Sequence, residues 1–231
     1  MFQISMKRIF LILTLSSIIF SCHKEQKKEE KALGLGNSIW VNAKYLETLE
    51  RTKSPLQAKV FADTVMLSFN LKADTANVVW NFHEGSAFLV KQGNNIQFFN
   101  AYEEKKSPEM EGNLQNGLFK INQTSFKKVD TTGFIEKKFW IGKYSTSRGN
   151  IDLKFDGKVT GVDSLESYYV WCDYVTTQTD IDLVDFFDKN NKSTTYGYKF
   201  AGKEIIFYEF IWSEEGLIGK AGKELFRLKR I

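Results

Sequence analysis

The chain has little of the chemistry on which common enzyme and disulfide-stabilised families depend. Its 231 residues include two cysteines, two histidines and two prolines, and the formal net charge is only +4. No Gly-x-Ser-x-Gly elbow, phosphate-binding loop or His-Glu-x-x-His motif occurs. Lysines alternate with acidic residues instead of forming a basic stripe, which argues against nucleic-acid binding. The chain is nevertheless 42% hydrophobic and 15% aromatic, which predicts a globular protein with a weak case for catalysis.

The first 22 residues have the features of an export signal. Lys7 and Arg8 form a basic head, and the apolar run over residues 9–20 is too short to span a hydrocarbon core of roughly 30 Å. Ile19-Phe20-Ser21-Cys22 resembles the lipobox of bacterial lipoproteins. The resemblance implies a cleaved signal over residues 1–21, a lipid on Cys22 and an outer-membrane lipoprotein. Whether translation starts at Met1 or Met6 is left open.

A charged, then Gly-rich segment follows over residues 22–37 and predicts a flexible tether. Its lysine and acid-rich start is similar to the surface-export signals of some Bacteroidetes lipoproteins, so the surface and the periplasmic side both stay open. If Cys22 carries a lipid, Cys172 has no partner for an intrachain disulfide. The aromatic neighbours of Cys172 predict a buried cysteine within a strand.

From residue 38 onward the pattern predicts an all-β, antiparallel meander barrel. Apolar residues alternate with other residues in short segments such as Val65-Leu67-Phe69, and Asp-Gly or Asn-rich turns separate the segments. One N-terminal helix is predicted from Tyr45 to about Lys53, ended by Ser54-Pro55, and a second short helix over residues 163–166.

The two halves of the sequence share a weak internal similarity, so residues 38–231 could form one barrel or two. Trp40 and Tyr45 open the first half, and Trp140 and Tyr144 open the second. The segment Trp140-Ile141-Gly142-Lys143-Tyr144 resembles the first strand of lipocalin-like barrels, where a Trp plugs the barrel base beside a Gly. We expect one barrel of about ten strands over residues 38–231, with two lobes, 38–130 and 138–231, as the alternative.

Polar clusters give no strong catalytic or metal candidate. His83 lies beside Glu84, but adjacent strand residues point to opposite faces, so His83 is interpreted as a surface or turn residue. The acidic residues between Asp173 and Asp188 lack the spacing of a calcium loop and predict a strand with one face in water and a bulge near Val184. Four further carboxylates were considered for glycoside cleavage: Asp63, Asp152, Glu204 and Glu209. No catalytic residue, metal or cofactor is predicted.

The aromatic content, 20 Phe, 9 Tyr and 5 Trp, supports two functional hypotheses. In the first, a lipid-anchored, non-catalytic envelope protein binds a hydrophobic small molecule inside the barrel. The predicted pocket residues are Tyr168, Trp171, Tyr196, Tyr198, Phe207, Tyr208 and Trp212. In the alternative, the barrel is packed and the protein is a structural or interaction subunit of an outer-membrane assembly, with an envelope protein as its partner. An envelope hydrolase ranks third.

Overall fold

Antiparallel strands make up most of the computed structural model, which describes residues 35–103, 107–147, 149–214, 216 and 218–231. Strands account for 53% of the chain and helices for 13%, so the predicted all-β class is confirmed. The strands form two sheets within one compact unit, Leu33–Ile231. The predicted signal and most of the tether, including Cys22, lie outside the described residues.

The first sheet is a closed barrel of eight strands in meander order. Each strand pairs with the next, and β1 pairs with β8 to close the barrel. Tight turns connect neighbours, as between β6 and β7, where Asn116 and Gly117 both have positive φ. The strands are β1 (Ser38–Asn42), β2 (Met66–Asn70), β3 (Thr75–Trp80), β4 (Glu84–Gln92), β5 (Ile96–Asn100), β6 (Met110–Gln115), β7 (Leu118–Ile121) and β8 (Thr124–Val129).

Side chains fill the interior of this barrel. The ring of Phe119 lies 5.2 Å from that of Phe69 and 6.3 Å from that of Phe98, measured between centroids. Gly112 faces Phe119 so closely that a Cβ at this position would come within 2.5 Å of the ring. The alternating apolar residues of these strands therefore pack against one another inside the barrel.

Short helices follow β1 and lie against the end of the barrel. Helix α1 (Ala43–Thr52) begins where the side chain of Asn42 accepts hydrogen bonds from two backbone N–H groups, and it ends at Lys53 in the left-handed conformation. The predicted N-terminal helix is confirmed. Helix α2 (Pro55–Ala58) and a 3₁₀ turn (Lys59–Phe61) come next. The predicted helix over residues 163–166 is wrong, because this segment forms only a turn.

The second sheet has nine strands and is nearly closed. Its order is β11-β10-β9-β17-β16-β15-β14-β12, with β13 parallel to β17. An isolated bridge between Lys158 and Ser167 joins the two ends of the sheet. A π-helical turn, Glu136–Trp140, precedes the first of its strands. The strands are β9 (Gly142–Thr146), β10 (Gly149–Leu153), β11 (Val159–Thr160), β12 (Ser167–Val170), β13 (Gln178–Thr179), β14 (Asp182–Phe187), β15 (Ser193–Ala201), β16 (Glu204–Trp212) and β17 (Ile218–Arg230).

The expectation of a single barrel of about ten strands is wrong. Strand β8 has β7 on one side and β1 on the other, so it has no free edge to which β9 could add. The last strand of the first sheet ends at Val129, and the first strand of the second sheet begins at Gly142. These limits match the two-lobe alternative, with lobes over 38–130 and 138–231. The bulge expected near Val184 is also absent, because β14 pairs in unbroken register with β15. Register shifts occur instead between β16 and β17.

One core cluster connects α1 with both sheets. Tyr45, Leu46 and Leu49 of α1 pack in the same cluster as Val41 at the end of β1 and Trp140 of the second half. The helix thus buries its apolar face between the two sheets, which explains why a helix of this length is stable. Within the described residues, no helix has the length and apolar character needed to cross a bilayer.

Candidate functional site

The seven aromatic residues predicted to line a pocket lie on both faces of the second sheet. Phe207 and Tyr208 are neighbours in β16, so their side chains point to opposite faces. The structure therefore divides the predicted set into two groups. The inner group is Tyr168, Tyr196, Tyr198 and Phe207, and the outer group is Trp171, Tyr208 and Trp212.

The inner group packs around Trp140. The centroid of the Trp140 ring lies 4.7 Å from that of Tyr198, 5.7 Å from that of Tyr168 and 6.3 Å from that of Phe207. Phe207 is fully buried and stacks on Phe226 at 4.6 Å. These contacts fill the interior of the second sheet at this level with protein side chains. The predicted binding of a hydrophobic molecule there stays a prediction.

Trp140 is held by side chains of two neighbouring strands, β9 and β17. Tyr144 donates a 2.6 Å hydrogen bond from its hydroxyl to the Trp140 carbonyl oxygen. The Arg230 guanidinium donates to the Tyr144 hydroxyl at 3.0 Å and to the carbonyl oxygens of Phe139 and Ile141 at 3.1 and 2.8 Å. Trp140 is fully buried. Its expected role as the plug of a lipocalin-like barrel stays a prediction.

The outer group forms an aromatic patch, defined here as Trp171, Tyr208, Phe210 and Trp212. The Trp171 indole N–H donates to Asp185 Oδ2 at 2.8 Å, which fixes the orientation of the ring. The Trp212 ring centroid lies 6.0 Å from that of Trp171 and 4.6 Å from that of Phe210. The sequence identified three of these four residues, but it placed them inside the barrel.

The aromatic patch continues into the end of the β16–β17 hairpin. This hairpin tip, residues 210–212 and 218–220, exposes Ile211 (44%), Trp212 (36%) and Ile218 (46%). Ile211 pairs with Lys220, and Trp212 pairs with Gly219, so Ile211 and Trp212 face opposite sides of the hairpin. The sequence already indicated that this strand is apolar on both sides. Nothing in its periodicity marked the end of the strand as exposed.

The histidine and the cysteine lie in different halves of the chain, and His83 reaches the residue that follows Cys172. His83 occupies the turn before β4, as predicted, and its Nε2 lies 3.4 Å from Asp173 Oδ2. Cys172 lies in the loop after β12, so its predicted place within a strand is wrong. Burial raises the pKa of the Cys172 thiol to about 12, which keeps it protonated and unreactive at neutral pH. No group of three or more potential metal ligands occurs in the part of the chain that the structure describes.

The acidic residues before Asp188 stabilise backbone groups. Asp182 is buried, contrary to the prediction of a strand with one face in water, and accepts a 2.8 Å hydrogen bond from the Leu56 N–H. Burial raises the pKa of Asp182 to about 6, although hydrogen bonds from Ser54 and Leu56 oppose the shift. Asp180 accepts a hydrogen bond from the Ala221 N–H at 2.9 Å. These roles are structural.

The four carboxylates considered for glycoside cleavage occupy separate elements. Asp63 lies in the turn before β2, and Asp152 lies in β10, where it pairs with Lys154 at 2.5 Å. Glu204 and Glu209 are five positions apart in β16 and therefore face opposite sides of the sheet. No two of the four share a strand face.

Two buried tyrosines differ in how their hydroxyl groups are satisfied. The hydroxyl of Tyr45, in α1, has no hydrogen-bond partner among the described residues. Burial raises its pKa well above the ordinary value, with nearby Cys172, Asp182 and Glu136 adding to the effect. The Tyr174 hydroxyl, in contrast, accepts a 2.7 Å hydrogen bond from the Leu183 N–H. At similar burial, the hydroxyl of Tyr45 therefore lowers the stability of the fold, whereas the hydroxyl of Tyr174 raises it.

Comparison of the chain with protein-family models, with curated proteins and with solved structures found no match.

Proposed function

We propose that this protein is a lipid-anchored, non-catalytic interaction subunit of the bacterial outer membrane, and that the hairpin tip binds a partner protein of the envelope. The export signal and the lipobox-like segment ending at Cys22 support the location. The observation that carries the interaction role is the exposure of Ile211, Trp212 and Ile218 on the two faces of one hairpin, beside the short strand β13.

Packed interiors favour this proposal over a carrier role. In the first barrel the rings of Phe69, Phe98 and Phe119 are in mutual contact. In the second sheet Trp140 contacts Tyr168, Tyr198 and Phe207 of the inner group. A carrier of a hydrophobic molecule needs a cavity lined by aromatic side chains. In a scaffold protein the same side chains fill the interior and contact one another.

The charges near the hairpin tip indicate the chemistry of the partner. Lys220 is exposed opposite Ile211, and the Lys199 ammonium lies 5.7 Å from the centre of the Tyr208 ring in the aromatic patch. A complementary surface would present apolar side chains to the hairpin tip and carboxylates to these lysines. Exposed Trp and Ile side chains with a polar rim are typical of interaction sites.

Site-specific photo-crosslinking in cells tests this proposal. A photoreactive amino acid replaces Ile211 or Ile218 in the full lipidated chain, and Val60 and Tyr102, both exposed elsewhere, serve as matched control positions. We expect one discrete crosslinked envelope protein from the hairpin positions only. The purified partner should bind the wild-type chain and lose at least about tenfold in affinity to I211S/I218S, because central apolar contacts carry most binding energy.

Equal crosslinking from the control positions, or equal partner affinity for I211S/I218S and V60S/Y102S, would refute the proposal. Native mass spectrometry of the same purified chain tests the carrier hypothesis separately from the interaction hypothesis. A small molecule that is bound in the native state and lost on denaturation would favour the barrel-binding alternative and count against a packed scaffold.

A further inference from the structure

One edge of β17 is open over part of its length. On one side β17 pairs with β16, whereas on the other side it pairs with β13 at residues 218–219 and with β9 at residues 229–230. The Ala221 N–H, next to β13, donates to Asp180. Residues 222–228 have no strand partner on this second side within the described part of the chain. This open edge, residues 222–228, is named the β17 slot.

The backbone of the slot is accessible to another extended chain. Residues 223–227 are all exposed, and the open edge of a strand presents N–H and C=O groups that a further strand can pair with. At about 3.4 Å per residue the slot is about 24 Å long. Because β13 stands at one end and β9 at the other, only a short strand fits between them.

The edge of the slot is also irregular. The register of β17 against β16 shifts twice opposite this segment, between Phe207 and Tyr208 and between Tyr208 and Phe210. Such bulges bend and twist a strand and disfavour pairing with long, flat strands of other chains. The slot is therefore suited to a short segment that can follow the bulged edge.

Phe226 gives the slot an apolar side. It pairs in register with Phe207, so both rings lie on the inner face of the sheet, where they stack at 4.6 Å between centroids. Phe207 is fully buried, but Phe226 stays 36% exposed and its neighbour Leu225 stays 42% exposed. A strand beside β17 would cover the exposed part of the Phe226 ring, as neighbouring strands cover Phe207.

We propose that the β17 slot binds an extended segment of a partner protein as an added strand, and that an apolar side chain of this segment covers Phe226. Backbone hydrogen bonds would supply the pairing and the apolar contact would fix its position. The inference goes beyond the proposed function, because it requires neither Ile211 nor Trp212 of the hairpin tip.

Other occupants fit the slot less well. The β17 strand of a second copy is 13 residues long and would meet β13 and β9 at the two ends of the slot. Residues 23–32 of the same chain contain no large apolar side chain that could cover Phe226. A small molecule would leave most of the row of backbone groups without partners. A short segment of another protein meets both requirements.

Hydrogen–deuterium exchange of the full lipidated chain in detergent micelles tests the inference. The probe is a pool of acetylated seven-residue peptides in which Thr alternates with Val, Leu or Phe, at about 1 mM. We expect the pool to slow exchange in residues 222–228 at least about threefold, because their N–H groups gain carbonyl partners. The same pool with every backbone nitrogen methylated cannot pair as a strand and should have no effect.

Three variants separate the apolar contact from other effects. F226A should reduce the slowing at least about threefold, because the peptide side chain loses the ring that it covers. L89A, which removes a half-exposed side chain from β4, is the matched control and should behave as wild type. I211S should also behave as wild type, so failure of the hairpin-tip proposal and failure of this inference are distinguishable. Urea unfolding verifies that each variant is folded.

Four results would overturn the inference. The first is unchanged exchange in residues 222–228 with the unmethylated pool, and the second is equal slowing by the methylated pool. The third is equal slowing in F226A and wild type. The fourth is a dimer in sedimentation analysis whose residues 222–228 are already protected without peptide, which would assign the slot to a second copy of the chain.

Discussion

Replacing Tyr45 by phenylalanine should stabilise the protein. The Tyr45 hydroxyl is buried in the core cluster between the two sheets and has no hydrogen-bond partner among the described residues. In the unfolded chain the same hydroxyl is hydrated, so folding removes its hydrogen bonds to water without replacing them. The Y45F change removes that penalty and keeps the aromatic ring with its packing.

The magnitude follows from the cost of an unsatisfied buried polar group, about 1–3 kcal/mol. Loss of the small volume of the hydroxyl offsets part of this, so we expect the free energy of unfolding to rise by about 1 kcal/mol. Y174F is the matched contrast. It leaves the Leu183 N–H without the hydroxyl that accepts from it at 2.7 Å, so it should lower the free energy of unfolding by about 1–3 kcal/mol.

Urea unfolding followed by tryptophan fluorescence at pH 7 measures both variants against wild type, with unchanged dependence on urea as the condition for comparison. A loss of stability in Y45F equal to that in Y174F would refute the reasoning. It would mean that the Tyr45 hydroxyl has a bound water as its partner. The substitution would then leave the water without its hydrogen-bond partner, as Y174F leaves the Leu183 N–H without one.

Three further substitutions test the core and its closure. Burial raises the pKa of Asp182 from 3.8 to about 6. The contribution of the protonated Asp182 to stability is therefore complete below about pH 4 and is lost as pH rises through 6. In urea titrations, the difference in unfolding free energy between D182N and wild type should grow by up to about 3 kcal/mol from pH 4 to pH 7. G112A should cost about 1–3 kcal/mol in the same assay, since its Cβ would meet the Phe119 ring at 2.5 Å, whereas G93A, with nothing nearer than 3.8 Å, should be close to neutral. R230K should lower the thermal unfolding temperature, at a cost of about 1–2 kcal/mol, because the lysine nitrogen stands one bond short of the Arg230 Nη2 that donates to two carbonyl oxygens and a hydroxyl. Lysine also lacks the planar guanidinium, whose Cζ lies 5.4 Å from the centre of the Tyr144 ring. An R230K protein as stable as wild type would contradict that role.

Local features of the fold were predictable because they depend on neighbouring residues. The alternation of Leu67 and Phe69 with polar positions correctly marks the face of β2 that enters the barrel, since the side-chain period of a strand is two. The Asn42 cap and the turn before Pro55 likewise follow from side chains that act on their own backbone. The predicted fold class and N-terminal helix rest on such signals.

Strand partners and the use of buried space were not predictable in the same way. Periodicity gives the faces of a strand but not its neighbours, so it could not show that β8 returns to β1 and closes the first barrel. Aromatic residues also have the same pattern whether they line a cavity or fill a core, and Phe207 and Tyr198 are examples of the second case. The burial of Asp182 depends on the Leu56 N–H, a partner distant in the chain.

The pairing of β9 with β17 sets an order in time. The first barrel has all its strands once residue 129 has been synthesised, whereas β9 has to wait for residues 229 and 230, which pair with Ser145 and Tyr144. During this interval β9 lacks its neighbour, and its unpaired edge is open to a strand of another chain. Residues 142–146 therefore keep an unpaired edge after the first half is complete and until β17 joins the second sheet.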